Sequence, residues 1–419
     1  MRIEILSLNY APEPTGIGKF TADMARWFVQ RGLQVTVVCG FPHYPAWRLD
    51  PAYEGRVSPW RVLCETVDGV PVERIPHYIP REHNLGAKGR IALETSFNLR
   101  GVMYWLRRLF IRAKPDAMVV VVPPLQAMIW PWLYCALRNV PRVAHVQDLQ
   151  ADAALQLGML SGRRLRRLLF FLEEKLLQRA ALVSTVSPAM LNKIVAKGVS
   201  QQQCLLVPNW ADLQEISSQE DGTKVRSRLG VRSDQVLVLY AGNMGFKQGL
   251  GGLLEAAQAL QNDARITFVM IGEGAARASL EAQASDLGVT NVKFFPLQPR
   301  EQLPSILAAA DIHVVLQQRA AADLVMPSKL ANIFAAARPS IVTAEAGTAL
   351  AETISKSGGG VCVPPEDQQA LVRAIQDLAA SASLRLRLGS RARAYAEENL
   401  NIDRILGDFL MSLKSLQTP

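Results

Sequence analysis

The sequence has little of what marks secreted, metal-binding or membrane-spanning chains. Its five cysteines, Cys39, Cys64, Cys135, Cys204 and Cys362, are scattered and odd in number, with no CxxC spacing and no neighbouring histidine. That pattern supplies neither a disulfide framework nor a metal site, and it fits buried thiols in a reducing compartment. There is no Asp-x-Asp pair to hold a divalent metal against a diphosphate. The first residues, MRIEILSLNYAPEPTG, run straight into a strand-like stretch and a Pro/Gly loop, without the zones of a signal peptide. One uncharged run, Ala117 to Leu137, is long enough to raise the question of a membrane span. Pro123, Pro124 and Pro131 interrupt it, so a buried strand, a loop and a helix are expected there. No segment is of low complexity, and 49% hydrophobic with 20% charged residues is the balance of a packed enzyme. The expectation is a cytoplasmic protein whose 419 residues form two α/β domains of roughly 200 residues each.

What the sequence does have is alternation. Short β-branched runs recur at Ile3–Leu8, Gln34–Cys39, Met118–Val122, Arg142–Val146 and Leu182–Val186, and again at Val236–Tyr240, Ile266–Ile271, Val292–Phe295, Ile312–Leu316 and Ser340–Thr343. Amphipathic helical patterns separate them, which predicts parallel sheets with crossover helices, hence Rossmann-like domains. A polar stretch, Gln214 to Gln235, follows the turn-forming Pro208–Asn209, and the domain boundary is expected near it. Charge divides unevenly. Residues 1–210 carry 26 Lys and Arg against 15 Asp and Glu, whereas residues 211–419 carry 20 against 22. The first half therefore suits an anionic partner, and on charge alone a phospholipid surface or a lipid diphosphate fits as well as nucleic acid does.

Two glycine turns carry the candidate chemistry. Asn9 to Lys19, with Gly16, Gly18 and Lys19, follows the first strand and opens a helix from about Phe20 to Arg31; Tyr240 to Gly249 repeats the design, with Gly242, Asn243, Lys247 and Gln248. Glycines let backbone N–H groups approach an anion, and a helix N-terminus adds a favourable partial charge. The plainer reading of the first turn is a strand-to-helix corner needing glycine for geometry. It is not a GxGxxG fingerprint, because the third glycine is absent and Pro12 and Pro14 crowd the turn; this disfavours an NAD-dependent oxidoreductase.

Together with VPNWAD at 207–212, IGEG at 271–274 and AADIHV at 309–314, these turns resemble, in order and over nearly the whole chain, the retaining Leloir glycosyltransferases of GT-B fold (glycosyltransferase family 4-like). PEPTGIGKF, HVQDLQAD, AGNMGFKQGL and MPSKL are most similar to the transferases of colanic-acid-type exopolysaccharide clusters. The resemblance implies two Rossmann-like domains with parallel sheets facing across a cleft. Residues 1–210 would bind the acceptor, 211–395 the nucleotide sugar, and the helix in 396–419 would cross back to the first domain. It also implies a sugar transferred with retention from a nucleotide-diphosphate donor, GDP-fucose or a UDP-sugar, to a lipid-linked or oligosaccharide acceptor at the inner face of the cytoplasmic membrane. Neither metal nor other cofactor is expected, and the partners are the donor, the lipid-linked acceptor and an anionic membrane surface, with no nucleic acid.

The chain departs from the family at several site positions. Many members place an Arg and a Lys after the second-domain glycine; here Asn243 and Gln248 stand there, with Lys247 displaced by one. Two glutamates eight positions apart are matched by Leu324 and Asn332. Between them lies MPSKL, where Ser328 can cap a helix and Lys329 would lie in its first turn as a cation for the diphosphate. Glu273 is placed toward the donor ribose or phosphate, and Leu297, in the Phe295–Pro299 turn, toward the nucleotide base. In the first domain the family's sugar-contacting histidine is matched by Gln147, with His145 two residues earlier on the same strand face and Asp148 at the strand end. Asp148, Gln147 and His145 are the catalytic candidates; Asp148 could take the acceptor proton or act as a loop carboxylate, and His145 also reads as a buried strand histidine. His43 and His83 lie on loops of the acceptor domain. Two alternatives stay open: a nucleotide-sugar 2-epimerase of the same fold, and a non-catalytic glycosyltransferase-like binding subunit. Finally, the segments Arg100–Arg112 and Arg163–Leu172 mix clustered arginines with large apolar side chains. Each could be an ordinary crossover helix or a membrane-surface helix.

Overall fold

The computed structural model describes residues 1–14, 16–45, 47–58, 61–79, 87–111, 113–149, 163–319 and 329–417. Ser328, Leu324 and His83 lie outside the described residues. The chain divides into two compact units, Met1–Pro208 with Leu406–Pro419, and Asn209–Ile405.

The first unit is built on an eight-stranded sheet. Its strands are β1 (Arg2–Ser7), β2 (Gln34–Cys39), β3 (Leu63–Val67), β4 (Val70–Arg74), β5 (Ala117–Val122), β6 (Arg142–Val146), β7 (Leu182–Thr185) and β8 (Cys204–Leu206), in the order β3-β4-β2-β1-β5-β6-β7-β8. Every neighbouring pair is parallel except β3 with β4. β5 is buried at every residue, as a central strand covered on both faces must be. The uncharged run that follows it continues as a short 3-10 turn, Leu125–Met128, and the helix Ile129–Arg138. Among the described residues no helix is long and apolar enough to cross a membrane. The β3–β4 hairpin was not expected. Its turn is Asp68-Gly69, both at positive φ, the dipeptide that two-residue hairpin turns favour.

The second unit carries a six-stranded parallel sheet of β9 (Val236–Ala241), β10 (Ile266–Ile271), β11 (Val292–Phe295), β12 (Ile312–Val315), β13 (Ser340–Thr343) and β14 (Gly360–Val363), ordered β11-β10-β9-β12-β13-β14. Two helices, Ala382–Asn399 and Ile402–Ser415, lie toward the C-terminus with a break between them. The break is held from two sides. The Leu400 carbonyl accepts from the Ala211 N–H at 2.9 Å, and the Asn401 side chain accepts from the Asp403 N–H at 2.8 Å, so both residues are used outside a continuous helix. Past the break, Leu406, Phe409 and Leu413 are fully buried in the first unit. Phe409 packs on Phe28 and on the His145 ring, with centroids 6.4 and 6.1 Å apart.

Candidate active site

The turn after β1 is occupied by the chain itself. Glu13 is buried, and its Oε1 accepts from the backbone N–H groups of His43 at 3.0 Å and Tyr44 at 3.1 Å. Asn9 Nδ2 donates to Oε2 at 2.9 Å. A Cβ on Gly18 would stand 2.7 Å from Glu13 Oε2, so glycine is needed there to admit the carboxylate. Burial pushes the Glu13 carboxyl up to about 7, against the lowering effect of those hydrogen bonds. The helix begins at Gly16, earlier than expected, and Lys19 in its first turn is ion-paired to Asp23 at 2.9 Å. Around the loop, His43 Nδ1 lies 2.9 Å from the Phe41 carbonyl, and His77 Nε2 accepts from the Phe41 N–H at 3.1 Å. Burial keeps both imidazoles uncharged, His77 down to about 3. Buried Arg74 ties the turn to the sheet, donating to the carbonyls of Ala11 at 2.6 Å and Gly40 at 3.1 Å. Glu13 lies inside the PEPTGIGKF motif, yet its backbone partners His43 and Tyr44 are thirty or more residues away, beyond the reach of a local pattern.

At the end of β6 the three catalytic candidates separate by exposure. His145 is buried, with Nδ1 2.9 Å from Ser184 Oγ and Nε2 2.7 Å from Gln147 Nε2. Burial holds its imidazole down to about 4, so the neutral ring has one proton to place. With the Gln147 amide donating to Nε2, that proton sits on Nδ1 and goes to Ser184, which turns the Gln147 oxygen away from the histidine. His145 thus orients Gln147. Gln147 and Asp148 are themselves partly exposed.

In the second unit three segments converge. The turns after β9 and β10 touch so closely that a Cβ on Gly272 would overlap the Gly242 carbonyl, and the Met244 N–H donates to the Glu273 carbonyl at 2.8 Å. Tyr240 donates its hydroxyl to the Asn243 carbonyl at 2.5 Å, and the Asn243 side chain sits against Gly274, with Oδ1 2.6 Å from where a Cβ there would stand. Lys329, the first residue of the helix Lys329–Ala335, reaches across. Its Nζ lies 3.9 Å from the Tyr240 ring centroid and 3.2 Å from the position a Gly242 Cβ would take. Desolvation pushes its ammonium down to about 7, and among the described residues no carboxylate lies in ion-pair contact to oppose that.

The remaining donor-side candidates are placed as follows. Lys247 is in a 3-10 turn, Phe246–Gln248, whose Lys247 carbonyl accepts from the Gln318 N–H at 2.9 Å. The Gln248 and Asn332 side-chain oxygens are buried with no hydrogen bond among the described residues. Glu273 is ion-paired to Arg277 at 2.5 Å, and the same guanidinium donates to the Gly272 carbonyl at 2.8 Å. Leu297 is half-buried just past β11, whose last carbonyl, on Phe295, accepts from the Gly272 N–H at 3.1 Å. Gly242, Asn243, Glu273 and Lys329 are therefore brought together. Arg277 was missed, although its spacing of four from Glu273 on a helix start was a readable signal.

Residues 221–395 match the family of glycosyl transferases group 1, and residues 15–210 match the glycosyl transferase 4-like domain. The chain is 35% identical over 424 residues, 99% of its length and 100% of the other's, to the putative colanic acid biosynthesis glycosyl transferase WcaI of Escherichia coli. The chain belongs to this glycosyltransferase family. The glycosyltransferase also resembles the probable glycosyltransferase WbjE of Pseudomonas aeruginosa, 27% identical over 61% of this chain and 64% of that one. Among solved structures it superposes on a sucrose-phosphate synthase from Thermosynechococcus elongatus with a TM-score of 0.74, 17% identity and coverage of 99% and 98% of the two chains. HepE of Anabaena, solved in complex with UDP and glucose, gives a TM-score of 0.72, 17% identity and coverage of 99% and 100%. The fold is GT-B.

Proposed function

We propose that this glycosyltransferase moves a sugar from a nucleoside diphosphate to a lipid-linked saccharide in exopolysaccharide assembly, with retention at the anomeric carbon. The supporting observation is the convergence of the Gly242 and Gly272 turns on Lys329, a desolvated amine stacked on Tyr240. A diphosphate leaving group gains charge as the glycosidic bond breaks, and a cation and backbone N–H groups fixed in place stabilise it without reorganising. In this reading the second unit holds the donor, with Lys329 on the diphosphate and Leu297 toward the base. The Gln248 and Asn332 oxygens, without a hydrogen bond among the described residues, are left to accept from donor hydroxyls. Ser328 belongs to the same proposed contact set. The first unit takes the acceptor, with Gln147 and Asp148 at the strand end. The acceptor hydroxyl attacks from the leaving-group face, and the donor phosphate or Asp148 takes its proton. Lys329 and the turns take the part that a metal plays elsewhere. WcaI is named for colanic acid biosynthesis and HepE was solved with UDP and glucose, which supports this substrate class.

The test is nucleoside diphosphate release from a panel of GDP- and UDP-sugars with a lipid-diphosphate saccharide, with and without EDTA. Release that needs the acceptor and survives EDTA is expected; dependence on added Mn²⁺ or Mg²⁺ would remove the metal-free part of the proposal.

A further inference from the structure

Three helices of the first unit cover one face of its sheet: Ala87–Ile111, Ile129–Arg138 and Arg163–Gln178. Their inner residues, among them Phe97, Trp105, Trp132 and Leu177, belong to one apolar cluster with β5 and β6. They are tied side by side. Arg138 donates to the Leu109 carbonyl at 2.9 Å on one flank of the middle helix, and Trp132 Nε1 to the Leu176 carbonyl at 2.9 Å on the other. Their outer residues therefore lie on a shared surface.

That surface is apolar where a solvated crossover helix is polar. Leu99, Met103, Leu106 and Phe110 form a stripe at helical spacing on the first helix, with Leu99 63% and Phe110 87% exposed. Ile129, Leu133 and Leu137 form a second on the middle helix, and Leu168, Phe171 and Leu172 a third. The charges are sorted. Arg107, Arg164, Arg166 and Arg167 are exposed, whereas Glu94 and Glu173 are turned inward to Arg90 and Lys197 at 3.0 and 2.8 Å. The middle helix carries no acid at all. An outer face of large apolar groups and arginines, with two of its three carboxylates turned inward and the third, Glu174, half-buried, is complementary to an anionic bilayer, where apolar side chains enter the acyl boundary and arginines remain at the headgroups.

We infer that this three-helix face docks the enzyme on the surface of an anionic phospholipid bilayer, with the helix Ile129–Arg138 at the centre of the contact. The lipid-linked acceptor proposed above accounts for why such a face exists. Docking and transfer are measured separately, so one can fail without the other.

The experiment is co-sedimentation of the full chain with vesicles of phosphatidylglycerol and phosphatidylcholine in equal parts, against phosphatidylcholine alone, over a salt series. Binding to the anionic vesicles that weakens with salt is expected. The Leu133→Glu/Leu137→Glu variant changes only exposed positions and should lower partitioning by at least about 10-fold. The Arg164→Gln/Arg166→Gln/Arg167→Gln variant should lower it on the order of 100-fold. Both variants should keep the wild-type melting temperature and nucleotide affinity. Equal binding of wild type to both vesicle types, or undiminished binding by both variants, overturns the proposal. So does a stable dimer in sedimentation velocity that the Leu133→Glu/Leu137→Glu variant abolishes, since the face would then belong to a second copy. Loss of transfer with vesicle binding intact counts against the acceptor reading alone.

Discussion

The turn after β1 and the turn after β9 share a plan, a strand running into glycines and then a helix, yet they end in opposite electrostatic states. In the first, a Glu13 carboxylate fills the space that glycine opens and Lys19 is neutralised by Asp23. In the second, the glycines admit another turn's backbone and an amine with no described carboxylate beside it. A glycine in such a turn reports that something comes close, and only the fold says whether it is the chain's own anion or a place for another. The first turn is a built corner. The second is the turn proposed to take the diphosphate.

Replacing Lys329 is the strongest way to break this contrast. Lys329→Ala should cost about 2–4 kcal/mol of transition-state stabilisation, roughly 30- to 1,000-fold in kcat/KM. Steady-state kinetics with folding checked by thermal melt is the measurement, and a loss below about threefold would return the site to the first unit's turn.

The first turn is tested through stability. A carboxyl whose folded value is raised to about 7 from 4.5 binds protons in the folded state that the unfolded chain has released, so its contribution falls as pH rises through that window. The shift corresponds to up to roughly 3 kcal/mol. His43 and His77 act in the opposite sense: lowered in the folded state, they cost stability as pH drops below the unfolded value of 6.5. The difference between wild type and Glu13→Gln isolates the carboxyl. Denaturant melts at pH 5 and pH 8 should show the variant gaining on wild type at the higher pH, with nucleotide affinity unchanged.

A smaller effect sharpens the second turn. In the unliganded site desolvation pushes Lys329 down to about 7, and a bound diphosphate favours its charged form, so donor affinity should fall by up to about tenfold per pH unit above that point. Calorimetric titration with nucleoside diphosphate from pH 6 to 9 should show the fall in wild type, and Lys329→Arg should be flat. The smallest effect is expected at Lys247, whose turn is held through its backbone carbonyl; Lys247→Ala should change kcat/KM by less than about threefold.

Much of the fold was legible because buried parallel strands are β-branched and nearly uninterrupted, as in Ala117–Val122 and Ile266–Ile271. The β3–β4 hairpin escaped because its strands alternate polar and apolar residues, and its Asp-Gly turn was the readable sign passed over. The break at Leu400 and Asn401 was not legible, since Ala211 causes it from far away in the chain. The same holds within the site. The strand-end position of Gln147 followed from local pattern, but its orientation depends on Ser184 behind His145. Lys329 was singled out by motif order, whereas its place over Tyr240 and beside Gly242 comes from the stacking of β9 against its neighbours.

The return of Leu406, Phe409 and Leu413 to the first unit has a consequence for synthesis. The ribosome makes residues 209–405, a complete sheet with its helices, before it makes the side chains that cover Phe28 and His145. The first unit, though translated first, is therefore the one that must wait with an unfilled apolar seam, while the second can close as a unit within the nascent chain. A stalled chain ending near residue 400 should accordingly show a protease-resistant second unit and a cleavable first one, reversing the order in which they were made.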